Sequence, residues 1–123
     1  MSDNIAIGKM GEETACRFLL KKGYVIVERN FKCRMGEIDI IAKKENSIVF
    51  VEVKTRNGDM FGMPCEAVNY KKRRKIMNSA AYYMLLHCEY GKSDVSFDVI
   101  EVLVSGRNTR INHIENAFGK EVL

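Results

Sequence analysis

The sequence predicts an α/β fold, a sheet carrying helices on its faces. Three observations carry that expectation. Apolar residues recur at helical spacing in two long segments, four shorter stretches alternate with period two, and the chain order is helix, three strands, helix, strand. With 123 residues, enough for one buried core, and no repeat, low-complexity segment or linker, a single domain over 1–123 is expected.

The first helix is expected from Ile5 to Lys22, where Lys9, Glu13, Arg17 and Lys21 form one water-facing stripe. Gly23 supplies its C-terminal stop. "YVIVERNF" (Tyr24 to Phe31) reads as the first strand, and "MGEIDIIAKKENSIVFVEVKTR" (Met35 to Arg56) as the second and third. "NGDMFGMP" has loop composition. A second helix is expected from Cys65 to Tyr90, burying Ala67, Ile76, Met77, Ala80, Ala81, Met84 and Leu85. "VSFDVIEVLV" (Val95 to Val104) is the fourth strand, "SGRN" a turn and "TRINHIENAF" a short tail element.

Composition narrows the function classes. A net charge of +4 is too modest to announce a polyanion partner, so local clustering must decide. The four cysteines, Cys16, Cys33, Cys65 and Cys88, form no CxxC pair, and neither His87 nor His113 completes a zinc spacing. Without a signal peptide or an apolar run of bilayer length, reduced thiols in a cytoplasmic protein away from membranes are expected.

The hairpin is where chemistry enters. A turn centred between Glu45 and Asn46 opposes residues whose numbers sum to 91, so Asp39 faces Glu52 and Glu37 faces Lys54. One face then carries Glu37, Asp39, Ile41, Ile48, Phe50, Glu52 and Lys54. The other carries Ile38, Ile40, Ala42, Val49, Val51 and Val53. Opposed carboxylates destabilise a sheet unless something compensates them. A hard divalent cation such as Mg²⁺ or Mn²⁺ would. Solvated hairpin charges are the plainer alternative, and the apolar neighbours on the same face speak against it. Glu12 lies on the apolar side of the first helix with Gly8, Ala15, Cys16 and Leu19. Either it reaches the same pocket, with Gly8 and Gly11 admitting a close helix, or it snorkels to the edge.

The motifs "GKMGEETACRFL", "GYVIVERNF", "GEIDIIA", "FVEVKTR", "EAV", "KKRRKI", "FDVI" and "HIENAF", in that order, resemble the YraN family of small, endonuclease-like bacterial proteins. The likeness runs from about Ile7 to Phe118. It implies a restriction-endonuclease-like αβββαβ core, a mixed sheet flanked by helices, and a likeness to archaeal Holliday junction resolvases. By position it implies Asp39 and Glu52 as metal-binding acids, Lys54 as the catalytic lysine and Glu12 as the helical glutamate, directly or through water. Val53 would lend its main-chain carbonyl to the metal. Two departures stand out: Ile38 replaces the signature proline before Asp39, and Lys72 stands where the family often has glutamine.

The expectation is therefore Mg²⁺- or Mn²⁺-dependent hydrolysis of nucleic-acid phosphodiesters, DNA ahead of RNA, with branched or junction DNA among the candidates. Glu37 would support Lys54 from behind. Arg56, Lys71, Lys72, Arg73, Arg74 and Arg29 are the candidate phosphate contacts, with Arg34 extending them and Tyr82 and Tyr83 available to stack on bases. By analogy with resolvases a homodimer would act. The competing readings are a non-catalytic nucleic-acid-binding adaptor on the same fold and a structural protein whose acids merely pair with neighbouring cations.

Overall fold

The computed structural model describes residues 2–57, 69–87 and 92–119, and side chains from residue 6 onward. Its elements are α1 (Ser2–Lys21), β1 (Val25–Cys33), β2 (Gly36–Lys44), β3 (Ser47–Asn57), α2 (Tyr70–Leu86), β4 (Asp94–Ser105) and β5 (Asn108–Phe118). The strands form one sheet in the order β1-β2-β3-β4-β5. Among the described strands only β3 and β4 run parallel, because α2 lies between them in the chain; the other neighbours are antiparallel. The expected αβββαβ core is thus present, extended by one strand.

The tail read as a short element of unassigned type is a full strand, and "SGRN" is the turn joining β4 to β5. α2 begins at Tyr70, where the Asn69 side chain accepts the Lys72 backbone N–H at 2.8 Å. Parts of the longer expected helix, and Ala67, Cys65 and Cys88 with them, lie outside the described residues. Leu85, expected to be buried, is 67% exposed, while Tyr83 and Ser79 turn inward instead. Tyr83 packs edge-on against Phe31 and Phe50, so of the two tyrosines proposed to stack on bases only Tyr82 reaches the surface.

Two cores sandwich the sheet. On one face Ala15, Cys16 and Leu19 of α1 meet Ile40, Ala42, Val49, Val51, Ile100 and Val102. On the other, Ile76, Ala80, Tyr83 and Met84 of α2 meet Ile38, Ile41, Ile48, Phe50 and Val99. Ile38 was expected to share a face with Ile40, but it packs on the opposite, α2 side. The alternation slips at Asp39: the flanking pairs Arg29 with Ile40 and Phe31 with Ile38 set Asn30 opposite Asp39, and Asn30 is left-handed at φ 53°. That local kink rotates one residue out of the period-two pattern.

α1 is pinned close to the sheet. A β-carbon on Gly11 would stand 1.9 Å from Thr55 Oγ1, so only glycine allows this approach. Gly8, expected to share that role, has open space beside it. The helix ends as anticipated at Gly23, whose φ of +93° is left-handed, with Gly23 N–H donating to Leu20 and Tyr24 N–H to Leu19. No described helix is long and apolar enough to cross a membrane.

Candidate active site

The β2–β3 ladder follows the expected register, with Lys44 opposite Ser47 across a two-residue turn and Ile40 opposite Val51 at the other end. One step beyond that last pair, Asp39 and Glu52 approach closely enough to hydrogen-bond. Asp39 Oδ2 also accepts the Val53 backbone N–H at 2.8 Å, so its side chain replaces a ladder acceptor where the strands part. Glu52 is buried.

Two acids this close cannot both ionise cheaply. Burial, then the hydrogen bond and charge of Glu52, push the Asp39 carboxyl up to about 8, against the pull of the Val53 N–H and Lys72. Glu12 is raised as well, by burial first and then by Asp39, against a hydrogen bond from Asn30 and the charge of Arg29. The left-handed Asn30 therefore both kinks β1 and holds Glu12. Glu12, Asp39, Glu52 and Val53 line one open cavity of about 390 Å³, together with Ile7, Gly8 and Thr55. The three carboxylates share this space without all closing to within 4.8 Å, a distance that among the described residues another trio meets.

The remaining candidates divide. Lys54 follows Glu52 by two positions on β3, is half-buried, and pairs in register with Glu101 of β4. Glu37 is exposed on the β1–β2 hairpin opposite Lys32, beyond the end of the β2–β3 ladder, and no described contact joins it to Lys54. The expected partnership is absent because the strands separate at Asp39. Arg56 is drawn inward: its Nε lies 3.1 Å from Glu101 Oε2, both side chains largely buried. Arg29 pairs with Glu13 at 3.0 Å. Of the α2 run, Lys72 reaches Glu52 at 3.2 Å and Arg74 lies over the Tyr70 ring, while Lys71 is exposed and Arg73 half-buried.

Sequence reasoning missed a second polar centre. Asp98 is buried and bonds His113 Nε2 at 2.7 Å. Its other oxygen accepts from Ser96 Oγ and from the Asn116 N–H. Lys22 Nζ sits 2.9 Å from His113 Nδ1, so the ammonium donates there and Nε2–H donates to Asp98. Burial would raise Asp98, but the hydrogen bonds from His113, Ser96 and Asn116 hold it below the ordinary carboxylate value. Tyr24, raised by burial and then by Asp98 and Glu115, hydrogen-bonds Glu115. Donor atoms of Asp98, His113 and Glu115 all lie within 4.8 Å of one another, a spacing that could hold a metal ion. Both histidine nitrogens are, however, spent on Lys22 and Asp98, which makes the cluster a tie between the end of α1 and the β4–β5 hairpin. The only sequence signal was a buried-strand Asp with a His on the next strand, and their pairing depends on β5.

Fold and site together define an α/β protein with a restriction-endonuclease-like core and an acid pair at the mouth of its central hairpin. The chain belongs to the family described as Uncharacterised protein family UPF0102, whose sequence model matches residues 11–102. A UPF0102 protein of Caldicellulosiruptor bescii is 49% identical over 114 residues, covering 91% of this chain and 96% of the relative. One from Clostridioides difficile strain 630 is 50% identical, covering 90% and 95%, and one from Clostridium botulinum strain 657 is 47% identical, covering 94% and 95%.

Proposed function

We propose that this protein hydrolyses nucleic-acid phosphodiester bonds with a divalent cation, Mg²⁺ or Mn²⁺, acting on DNA ahead of RNA, with branched or junction DNA among the candidate substrates. The observation that carries the reading is the Asp39–Glu52 pair, two carboxyls that meet at an open cavity, with Asp39 pushed up to about 8 by burial and then by Glu52.

The donor set fits a hard cation. Asp39 and Glu52 offer carboxylate oxygens, Val53 a main-chain carbonyl, and Glu12, lining the same cavity, a further carboxylate directly or through water. A divalent ion held there supplies a Lewis acid for the phosphoryl oxygen and lowers the pKa of a water. The protein's own residues do the rest. Asn30 steadies Glu12, and the Val53 N–H fixes the Asp39 rotamer, so the acids are oriented before substrate arrives. Lys54, with no ion pair to any described residue, has an ammonium free to orient the attacking water and to offset charge building on phosphorus. Lys71 on the exposed start of α2 gives a phosphate contact, and Arg56, committed to Glu101, braces β3 rather than gripping substrate.

The adaptor reading draws on one observation: Glu52 already has a cation in Lys72. The test offers branched, flapped and linear DNA, and RNA, with Mg²⁺ or Mn²⁺ to the wild type, Asp39→Ala and Lys54→Ala. Metal-dependent cleavage by the wild type, abolished in both variants, is expected. Tight binding without cleavage under any metal would overturn the nuclease reading in favour of the adaptor.

A further inference from the structure

We propose that Lys72 is an exchangeable internal counter-ion of the acid pair. Its ammonium holds Glu52 while no divalent ion is bound, and passes to a substrate phosphate when one binds. The inference rests on the metal-site reading above and adds a coupling that the reading does not contain.

The pair is asymmetric. Glu52 has a side chain 10% exposed, on a central strand, whereas the Lys72 side chain is 51% exposed on the first turn of α2, with Nζ 3.2 Å from Oε2. The acid is fixed and the cation can leave. Release needs only rotation about a flexible four-carbon stem, because the Lys72 backbone stays tied to the Asn69 cap. An ammonium and a divalent ion cannot share one carboxylate oxygen without repulsion, so metal entry favours the outward rotamer. The freed charge then joins Lys71 on an exposed, basic helix start, where a phosphodiester is its best partner. Lys54 cannot serve this way, since it sits on β3 itself and holds no acid among the described residues. Metal and polyanion thus promote each other's binding, a reciprocal coupling carried by one side chain.

Calorimetric titration of Mn²⁺ into the full chain, as wild type, Lys72→Gln and Lys72→Met, reads the first half. Binding of a short DNA duplex in Ca²⁺ at several salt concentrations reads the second. Both variants should bind Mn²⁺ about three- to tenfold more tightly than wild type, the loss of one modest ion pair as competitor. They should bind the duplex more weakly in Ca²⁺, with the salt slope lower by about one phosphate contact. Mn²⁺ uptake with the same or lower affinity in the variants overturns this inference alone. No Mn²⁺ uptake by any of the three overturns the metal-site reading and the inference with it.

Discussion

Replacing Asp39 with asparagine should stabilise the metal-free protein, by an amount that grows with pH. The Asp39 carboxyl is held at about 8 against an ordinary 3.8. A raised folded value means that the folded chain binds this proton more tightly than the unfolded chain. The stabilisation is therefore complete below about pH 4 and is lost as the pH climbs through 8. At roughly 1.4 kcal/mol per pH unit, the full shift sets a ceiling of about 6 kcal/mol. The cavity opens to water and Lys72 offsets part of the charge, so about 2 kcal/mol is the working expectation. Asparagine keeps an oxygen for the Val53 N–H, so the backbone contact survives the exchange. The assay is thermal unfolding of wild type and Asp39→Asn from pH 4 to 9, without and with Mg²⁺. Near pH 4 the melting points should coincide, and near pH 9 the variant should melt about 8 °C higher. Mg²⁺ should raise the wild type at high pH and leave the variant little changed. A gap that stays flat across this range would refute the argument that Asp39 and Glu52 frustrate each other.

Three further outcomes follow from the geometry. Gly11→Ala should cost about 1–3 kcal/mol in chemical denaturation, since its β-carbon would overlap Thr55 Oγ1, and Thr55→Ala in the same chain should recover part of the loss. His113→Ala should cost about 2–4 kcal/mol by leaving the Asp98 carboxylate buried without its main donor, measured the same way. Asp98, held below its ordinary value, contributes stability that is present above about pH 4 and lost as the pH falls through its folded value; Asp98→Asn should flatten acid unfolding there, read by circular dichroism against pH.

How much of this was legible in the residues differs by kind of contact. Local and short-range features were open to reading: Gly23 stops α1, and the two-residue turn at Glu45 and Asn46 fixes the β2–β3 register, which sets Asp39 against Glu52. The partnership of Glu37 with Lys54 failed because it extended that register past the point where the strands part. Nothing in a period-two pattern announces the left-handed Asn30 that moves Ile38 to the opposite face.

By itself the sequence determined the sequence-local parts of this protein: helix ends, the hairpin turn and the alternation that pairs two acids across neighbouring strands. Only the tertiary structure decided which distant charges meet. Lys72 crosses from α2 to Glu52, Arg56 turns to Glu101, and His113 joins Asp98 to Lys22. The physical reason is range. Turn and strand geometry act over a few residues and leave a periodic trace, whereas an ion pair between elements depends on how helices lie on the sheet and leaves none.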